Sequence, residues 1–331
     1  MDKFKALVID GTRSEVTRAV KELTLDDLPE GDVTIQVFYS SVNYKDGLAS
    51  IANSTIVKTY PHVPGIDLAG RVLSSADKRF KEGDEVLVTG YNLGTSHFGG
   101  YSQVARVPAD WVVRIPEGLS MKEAMAIGTA GFTAALSIYR MEQNGVRPNQ
   151  GPVLVTGAKG GVGSTSIAML SKLGYEVVAS TRQSGEHEFL KQLGAHSVIS
   201  PEELQLPENK RLLSEKWAAA VDPVAGKYLS YILATIKYGG SVAVSGFTGG
   251  ADFSATVYPF ILRGVNLLGI DSVFCPMDIR TILWDRIANE LKPAMLIDSI
   301  GYETTLENLP AALDQILKGE IRGRAVVSLQ N

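Results

Sequence analysis

The chain of 331 residues contains one cysteine, Cys275, and four histidines. A lone thiol cannot close an internal disulfide, so the core must hold without cross-links, and a reducing, cytoplasmic setting is expected. Cys275 itself is expected to be buried and inert. The histidines, His62, His97, His187 and His196, share no ligand spacing, and each is expected in the core or on the surface. No run of about 18 apolar residues is present, which excludes a membrane-spanning helix. The opening "MDKFKALVIDG" alternates as a strand does and lacks the apolar stretch of a secretion signal. Excess positive charge is missing too. Lys and Arg number 32 against 36 Asp and Glu, a net charge of −4. No basic field is available for nucleic acid or an anionic membrane.

What is present divides into parts. At about 100–200 residues per domain, the length suggests two domains. Up to residue 120 the segments "KALVID", "DVTIQVFYS", "DLAGRVLSS", "DEVLVTG" and "GYSQVARVP" are short, rich in β-branched residues and bounded by Gly, Asp and Pro. They predict a barrel-like β domain. A long helix is expected over "SMKEAMAIGTAGFTAALSIYRMEQNG", opening on Ser120. Strands then alternate with helices: "PVLVTG", "EVVASTR", "HSVIS", "AAAVDP", "SVAVSG" and "NLLGI" are the strands, and one helix is expected around "ENKRLLSEK". This alternation predicts an α/β domain with a doubly wound parallel sheet. The tail returns to helix and ends on the strand "RAVVSL". The expected boundaries are 1–124, 125–265 and 266–331.

The string "VTGAKGGVGST" (155–165) carries the first functional signal. A valine-rich strand runs into Gly160, Gly161, Val162 and Gly163, and a helix follows. A helix N-terminus presents unpartnered amides and partial positive charge, and glycines let a pyrophosphate approach the backbone. Strand before and helix after are the context a dinucleotide site needs. Ala158 stands where the strict G-x-G-x-x-G string has its first glycine. The next strand ends in Ser180, Thr181 and Arg182, with no acid before Glu186. A carboxylate there would bind the ribose hydroxyls of NAD, whereas hydroxyls with a guanidinium suit the 2′-phosphate of NADPH. A polar turn with a solvated Arg182 is the plain alternative.

This organisation resembles the medium-chain dehydrogenase/reductase superfamily, which implies a GroES-like catalytic domain joined to a Rossmann domain. Zinc-dependent members carry Cys-x-x-Asp and Gly-His-Glu. Here the matching strings are Asn43-Tyr44-Lys45-Asp46 and Gly65-Ile66-Asp67, so the cysteine and histidine positions cannot bind zinc. Without a Lewis acid, hydride addition to an alkene conjugated with a carbonyl remains feasible, because hydrogen-bond donors can stabilise the enolate.

Three strings, "SSVNYKDGLA" (40–49), "VTGAKGGVGS" (155–164) and "PFILRGVNLLGIDSV" (259–273), together resemble the NADPH-dependent acrylyl-CoA reductase group, whose members are also labelled quinone oxidoreductases. That resemblance implies a homodimer reducing a short 2-enoyl thioester. It implies that Tyr44 lies near the nicotinamide, that Gly160–Gly163 line the pyrophosphate and that Ser180–Arg182 surround the adenosine phosphate. Ser197, Phe247, Ser272 and Arg324 are implied along the nucleotide. Tyr44 is open to two roles, cofactor contact or proton donor; Asn43 to substrate binding or turn stabilisation; Asp46 to catalysis or loop orientation. Asp67 is expected to hold a loop. Three functions stay open: reduction of an enoyl thioester, reduction of quinones or enones, and a non-catalytic NADPH-binding sensor or structural role.

Overall fold

The computed structural model describes residues 3–294, 296 and 301–330. The chain forms two units. The first comprises Met1–Thr129, Val273–Ala288 and Leu296–Asn331, and the second Ala130–Ser272 and Asn289–Met295.

The first unit starts with a hairpin of β1 (Phe4–Thr12) and β2 (Glu15–Leu23), closed by Arg13 and Ser14. Then follow β3 (Val33–Val42), helix α1 (Tyr44–Ala49), β4 (Asp67–Ser75), β5 (Glu85–Thr89), β6 (Val104–Val107) and β7 (Val113–Arg114). Alternation on β3 turns Val33, Ile35 and Val37 into a core shared with Leu68, Val88 and Tyr101. Each fully buried aliphatic side chain there contributes about 1.5–3 kcal/mol. β2 was not expected from the sequence: "EVTRAVKEL" is polar and alternates exposed with half-buried positions, so it lacks an apolar run.

Helix α2 (Met121–Gln143) opens as expected on Ser120. Its hydroxyl accepts from Glu123 N at 3.2 Å, while the Glu123 carboxylate accepts from Ser120 N at 2.9 Å. The helix is not continuous, however. Gly128 breaks it at φ 50°, ψ −159°. A Cβ at this position would stand 2.5 Å from Arg324 Nη2 and 2.7 Å from Asp67 Oδ2. Both the conformation and the space therefore require glycine.

The second unit contains β8 (Val153–Val155), α3 (Gly161–Lys172), β9 (Val177–Ser180), α4 (His187–Gln192), β10 (Ser197–Ile199), β11 (Trp217–Asp222), α5 (Lys227–Thr235), β12 (Ile236–Val244), α6 (Tyr258–Arg263) and β13 (Asn266–Gly269). All six strands are parallel, in the order β10-β9-β8-β11-β12-β13. This is the doubly wound order with its switch point beside β8. β13 pairs with β12 from Ser241–Asn266 to Val244–Gly269. The second unit runs through Ser272 and so includes this sixth strand. The helix expected around "ENKRLLSEK" is corrected. Leu213 N donates to Ala234 O and Lys216 N to Thr235 O, at 3.0 and 2.8 Å. Leu206 and Leu213 pack on the core, so tertiary contacts override local helix propensity.

The chain returns to the first unit through α7 (Met277–Ala288), β14 (Gly301–Thr305), α8 (Leu309–Leu317) and β15 (Arg324–Ser328). β15 pairs antiparallel with β3, and Ala325 faces Val42. That register sets Arg324 beside the end of β3. Cys275 is buried, as expected.

Candidate active site

In the first unit, β3 ends at Val42 and Asn43 caps α1. Asp46 accepts hydrogen bonds from Asn43 N and Ile66 N, both at 2.9 Å. Asp67, at the start of β4, accepts from Ser41 Oγ at 2.5 Å, Asn43 Nδ2 at 2.8 Å, Thr129 N at 3.0 Å and Thr129 Oγ1 at 2.5 Å. The Thr129 amide is available because the helix restarts after Gly128, and a carboxylate at that restart meets a favourable dipole. Arg324 stands 3.7 Å from Asp67. Its guanidinium donates to Ser41 Oγ, Asn43 Oδ1, Val42 O and Ala126 O.

Asp46, Asp67 and Arg324 are all at most 2% exposed. Burial, and then the Asp67 charge, push the Asp46 carboxyl up to about 7. Burial also pushes the Tyr101 phenol up and the Arg324 guanidinium down. The Tyr101 hydroxyl donates to Ser41 O at 3.0 Å. One side chain of this region faces outward: Tyr44, in the first turn of α1, is 46% exposed.

Two open alternatives narrow accordingly, and one placement changes. Asp46 has no accessible surface and cannot touch a substrate; it positions α1 through Asn43 and Ile66. The Asn43 amide is buried between Asp67, Asp46 and Arg324, which favours the turn-stabilising role. Arg324 does not present itself along a nucleotide; its nitrogens are held by Ser41, Asn43 and two backbone carbonyls, and its charge offsets Asp67. Asp67 holds the loop, as expected. His97 bonds the Phe98 and Glu30 carbonyls and packs edge-on against Trp111, a structural setting.

In the second unit the turn after β8 has Gly157 in the left-handed region, at φ 54°. The first glycine of the turn is thus Gly157, one residue before the position occupied by Ala158. A Cβ on Gly163 would come within 2.4 Å of Gly157 O, so α3 packs against the turn at backbone contact. The amides opening α3 are those of Gly161, Val162 and Gly163. Asp222 closes β11 and ties the turn down: Thr156 Oγ1 donates to it at 2.5 Å, and Val224 N and Ala225 N at 3.1 and 3.0 Å.

Ser180 and Thr181, at the end of β9, are buried, whereas Arg182 is exposed and reaches Tyr228 Oη at 3.4 Å. Lys159 bonds Gln183 at 2.8 Å, which puts a second cation beside this end of β9. Phe247, 72% exposed, follows β12, and Ser272 follows β13 and accepts from Thr133 Oγ1 at 2.8 Å. The carboxyl ends of the parallel strands thus gather Gly160–Gly163, Ser180–Arg182, Phe247 and Ser272, the position where this sheet type binds ligands. Ser197 differs: it opens β10 opposite Val178, and Ser200 stands at the carboxyl end of that strand. The sequence reading passed over Lys159, Asp222 and Tyr228. Asp222 had a local signal, an acid closing the strand "AAAVDP"; Tyr228 had none.

Two family models match the chain: the alcohol dehydrogenase GroES-like domain over residues 29–117 and the zinc-binding dehydrogenase domain over residues 161–289. With the six-strand order and the glycine turn, they define the class, and the chain belongs to the medium-chain dehydrogenase/reductase superfamily. Among its relatives, acrylyl-CoA reductase AcuI of Ruegeria pomeroyi is 50% identical over 328 residues, covering 98% of this chain and 99% of that protein. The crystal structure of Bacillus subtilis protein YhfP with NAD bound is 54% identical, with TM-score 0.97, covering 99% of this chain and 100% of that one. Escherichia coli YhdH with bound NADPH is 44% identical, with TM-score 0.94, covering 98% of this chain and 100% of that one.

One family model names zinc, and the residues here do not fit it. Asn43 and Ile66 supply no thiolate or imidazole, and the Asp67 carboxylate is enclosed by four hydrogen-bond donors and the Arg324 cation. Among the described residues, no group of three or more His, Cys, Asp or Glu could hold a metal ion.

Proposed function

We propose that the chain reduces the carbon–carbon double bond of a short 2-enoyl-CoA, acrylyl-CoA to propanoyl-CoA, with NADPH. The observation that carries this reading is the end of β9, where Ser180, Thr181 and Arg182 follow the strand with no acid before Glu186, in a chain 50% identical to a named acrylyl-CoA reductase. NADPH, when bound, supplies the hydride that the β carbon of the alkene receives. The amides opening α3 hold the pyrophosphate, and Arg182 pairs with the 2′-phosphate. Tyr44 hydrogen-bonds the nucleotide from the rim of α1, and the network of Asp46, Asp67 and Arg324 fixes that rim. As the carbon–hydrogen bond forms at the β carbon, the alkene electrons move to the thioester oxygen. A proton from solvent then closes the α carbon.

The protein is further proposed to be a cytoplasmic homodimer. β13 is an outer strand of its sheet, and Ile261, Leu262 and Leu267 nearby are 69%, 58% and 38% exposed. An apolar sheet edge of this kind favours pairing with a second copy. The test of function is nicotinamide absorbance in parallel assays with enoyl thioesters, enones and quinones. Fastest oxidation of NADPH with acrylyl-CoA is expected. A kcat/KM favouring a small quinone by about a hundredfold would replace this reading with quinone reduction. Tight NADPH binding with no turnover on any acceptor would leave only a sensor or structural role.

A further inference from the structure

The second unit carries a cavity of about 460 Å³ that no residue of the glycine turn or of Ser180–Arg182 lines. It lies among the segment 204–211, α5 and the residues leading into α6. The volume is that of a small-molecule site. Its floor is apolar, formed by Leu204, Leu206, Leu233 and Pro259. Among the charged residues of the lining, the balance is basic. The lining holds Lys210, Arg211 and Lys227 against one acid, Glu208, with the Glu202 carboxylate near Lys227 outside it, in a chain whose net charge is −4. The positive excess is therefore local and does not reflect the overall composition. The Lys227 ammonium sits over the Tyr228 ring at 5.3 Å, and Arg211 donates to Glu208 O at 3.3 Å, so two of the three cations are oriented. Ser230 and Ser254 add hydroxyls, and the lining residue Thr256 has a buried hydroxyl with no hydrogen-bond partner. A buried polar atom left unpaired calls for an explanation, and a bound polar group that draws it round by rotation about χ1 supplies one.

We propose that this cavity binds a small amphipathic organic anion. Its apolar body rests on the leucine floor, and its carboxylate or phosphate meets Lys210, Arg211 and Lys227. Inorganic phosphate would leave the floor uncovered, and a neutral hydrophobe would leave the cations without a partner. Charge-assisted hydrogen bonds to the anion and burial of its apolar part act together. The lining shares no residue with those proposed to hold NADPH, although Lys227 adjoins Tyr228, the partner of Arg182, so binding that persists at saturating NADPH is what marks the occupant as a second ligand.

The test is calorimetric titration of the full chain, with and without saturating NADPH, using 1-naphthyl phosphate, octanoate and uncharged 1-naphthol. Saturable binding of at least one anion at a single site is expected, tighter than 1-naphthol by about tenfold or more. Preference for 1-naphthyl phosphate identifies a phosphate ester as the natural class, and preference for octanoate identifies an acyl carboxylate. The exposed pair Lys210→Glu and Arg211→Glu, made together, is expected to weaken the anion by about tenfold or more, and Lys210→Gln with Arg211→Gln by less. Turnover with NADPH should be unchanged in both variants, which reports that they are folded. Absence of binding by either anion up to about 10 mM would overturn the proposal. So would equal affinity of wild type and the charge-reversed variant, or equal affinity for 1-naphthol and 1-naphthyl phosphate.

Discussion

The two units handle charge in opposite ways. Beneath α1, full side-chain charges are enclosed: Asp67 and Arg324 sit almost without solvent contact, held by Ser41, Asn43 and Thr129. In the second unit the proposed phosphate contacts are the backbone amides opening α3 and the exposed Arg182 after β9. A buried charge network acts mainly on folding, because each member leaves its partners uncompensated when removed. An exposed rim acts mainly on ligand affinity, because water replaces whatever is taken away. Substitutions in the first region should therefore move stability, and those in the second should move binding.

The largest effect is expected for Arg324→Met. It strands Asp67 in the interior and should lower the unfolding free energy by about 3–5 kcal/mol, read by urea denaturation. A loss below about 1 kcal/mol would mean that the network is dispensable.

Next comes the pH response of Asp46. Its carboxyl rises from 3.8 to about 7 on folding, chiefly through burial. Its contribution to stability is thus fully present below 3.8 and is lost as pH rises through about 7. Asp46→Asn has no such proton to lose. Between about pH 5 and about pH 8 the variant should gain stability relative to wild type, by a few kcal/mol at most. A constant difference across that range would show that Asp46 is already ionised throughout.

Arg182→Glu tests the other region. Loss of the charged partner and the added repulsion should weaken NADPH by about a hundredfold and NADH by no more than about threefold, with the unfolding free energy unchanged. Equal weakening of both nucleotides would remove Arg182 from the phosphate site. The smallest effect is expected for Tyr44→Phe. One lost hydrogen bond should raise KM for NADPH by about two- to tenfold and leave kcat nearly intact. A fall in kcat of about a hundredfold would make Tyr44 a proton donor instead.

The same contrast explains what could be read from the sequence. The glycine turn was legible because strand, turn and helix lie within residues 153–172, and each step has a local cause. The hydroxyl–arginine cluster was legible because it closes a strand whose β-branched run is plain. The buried network was not. Asp46, Asp67, Thr129 and Arg324 are far apart in the chain, and only the β15–β3 register and the break at Gly128 bring them together. Arg324, implied along the nucleotide by the resemblance, instead belongs to this network. Segments whose pattern is set by their neighbours also escaped, such as β2 with its polar alternation and the extended stretch through Leu213.

The most direct test of the central claim is isotopic. Acrylyl-CoA is reduced with NADPH deuterated at the transferring position of the nicotinamide, and the propanoyl-CoA formed is analysed by NMR. Deuterium at the β carbon, with the α hydrogen drawn from solvent, is the expected result. Deuterium at the α carbon, or a product carrying none, would contradict hydride delivery to the far end of the conjugated alkene.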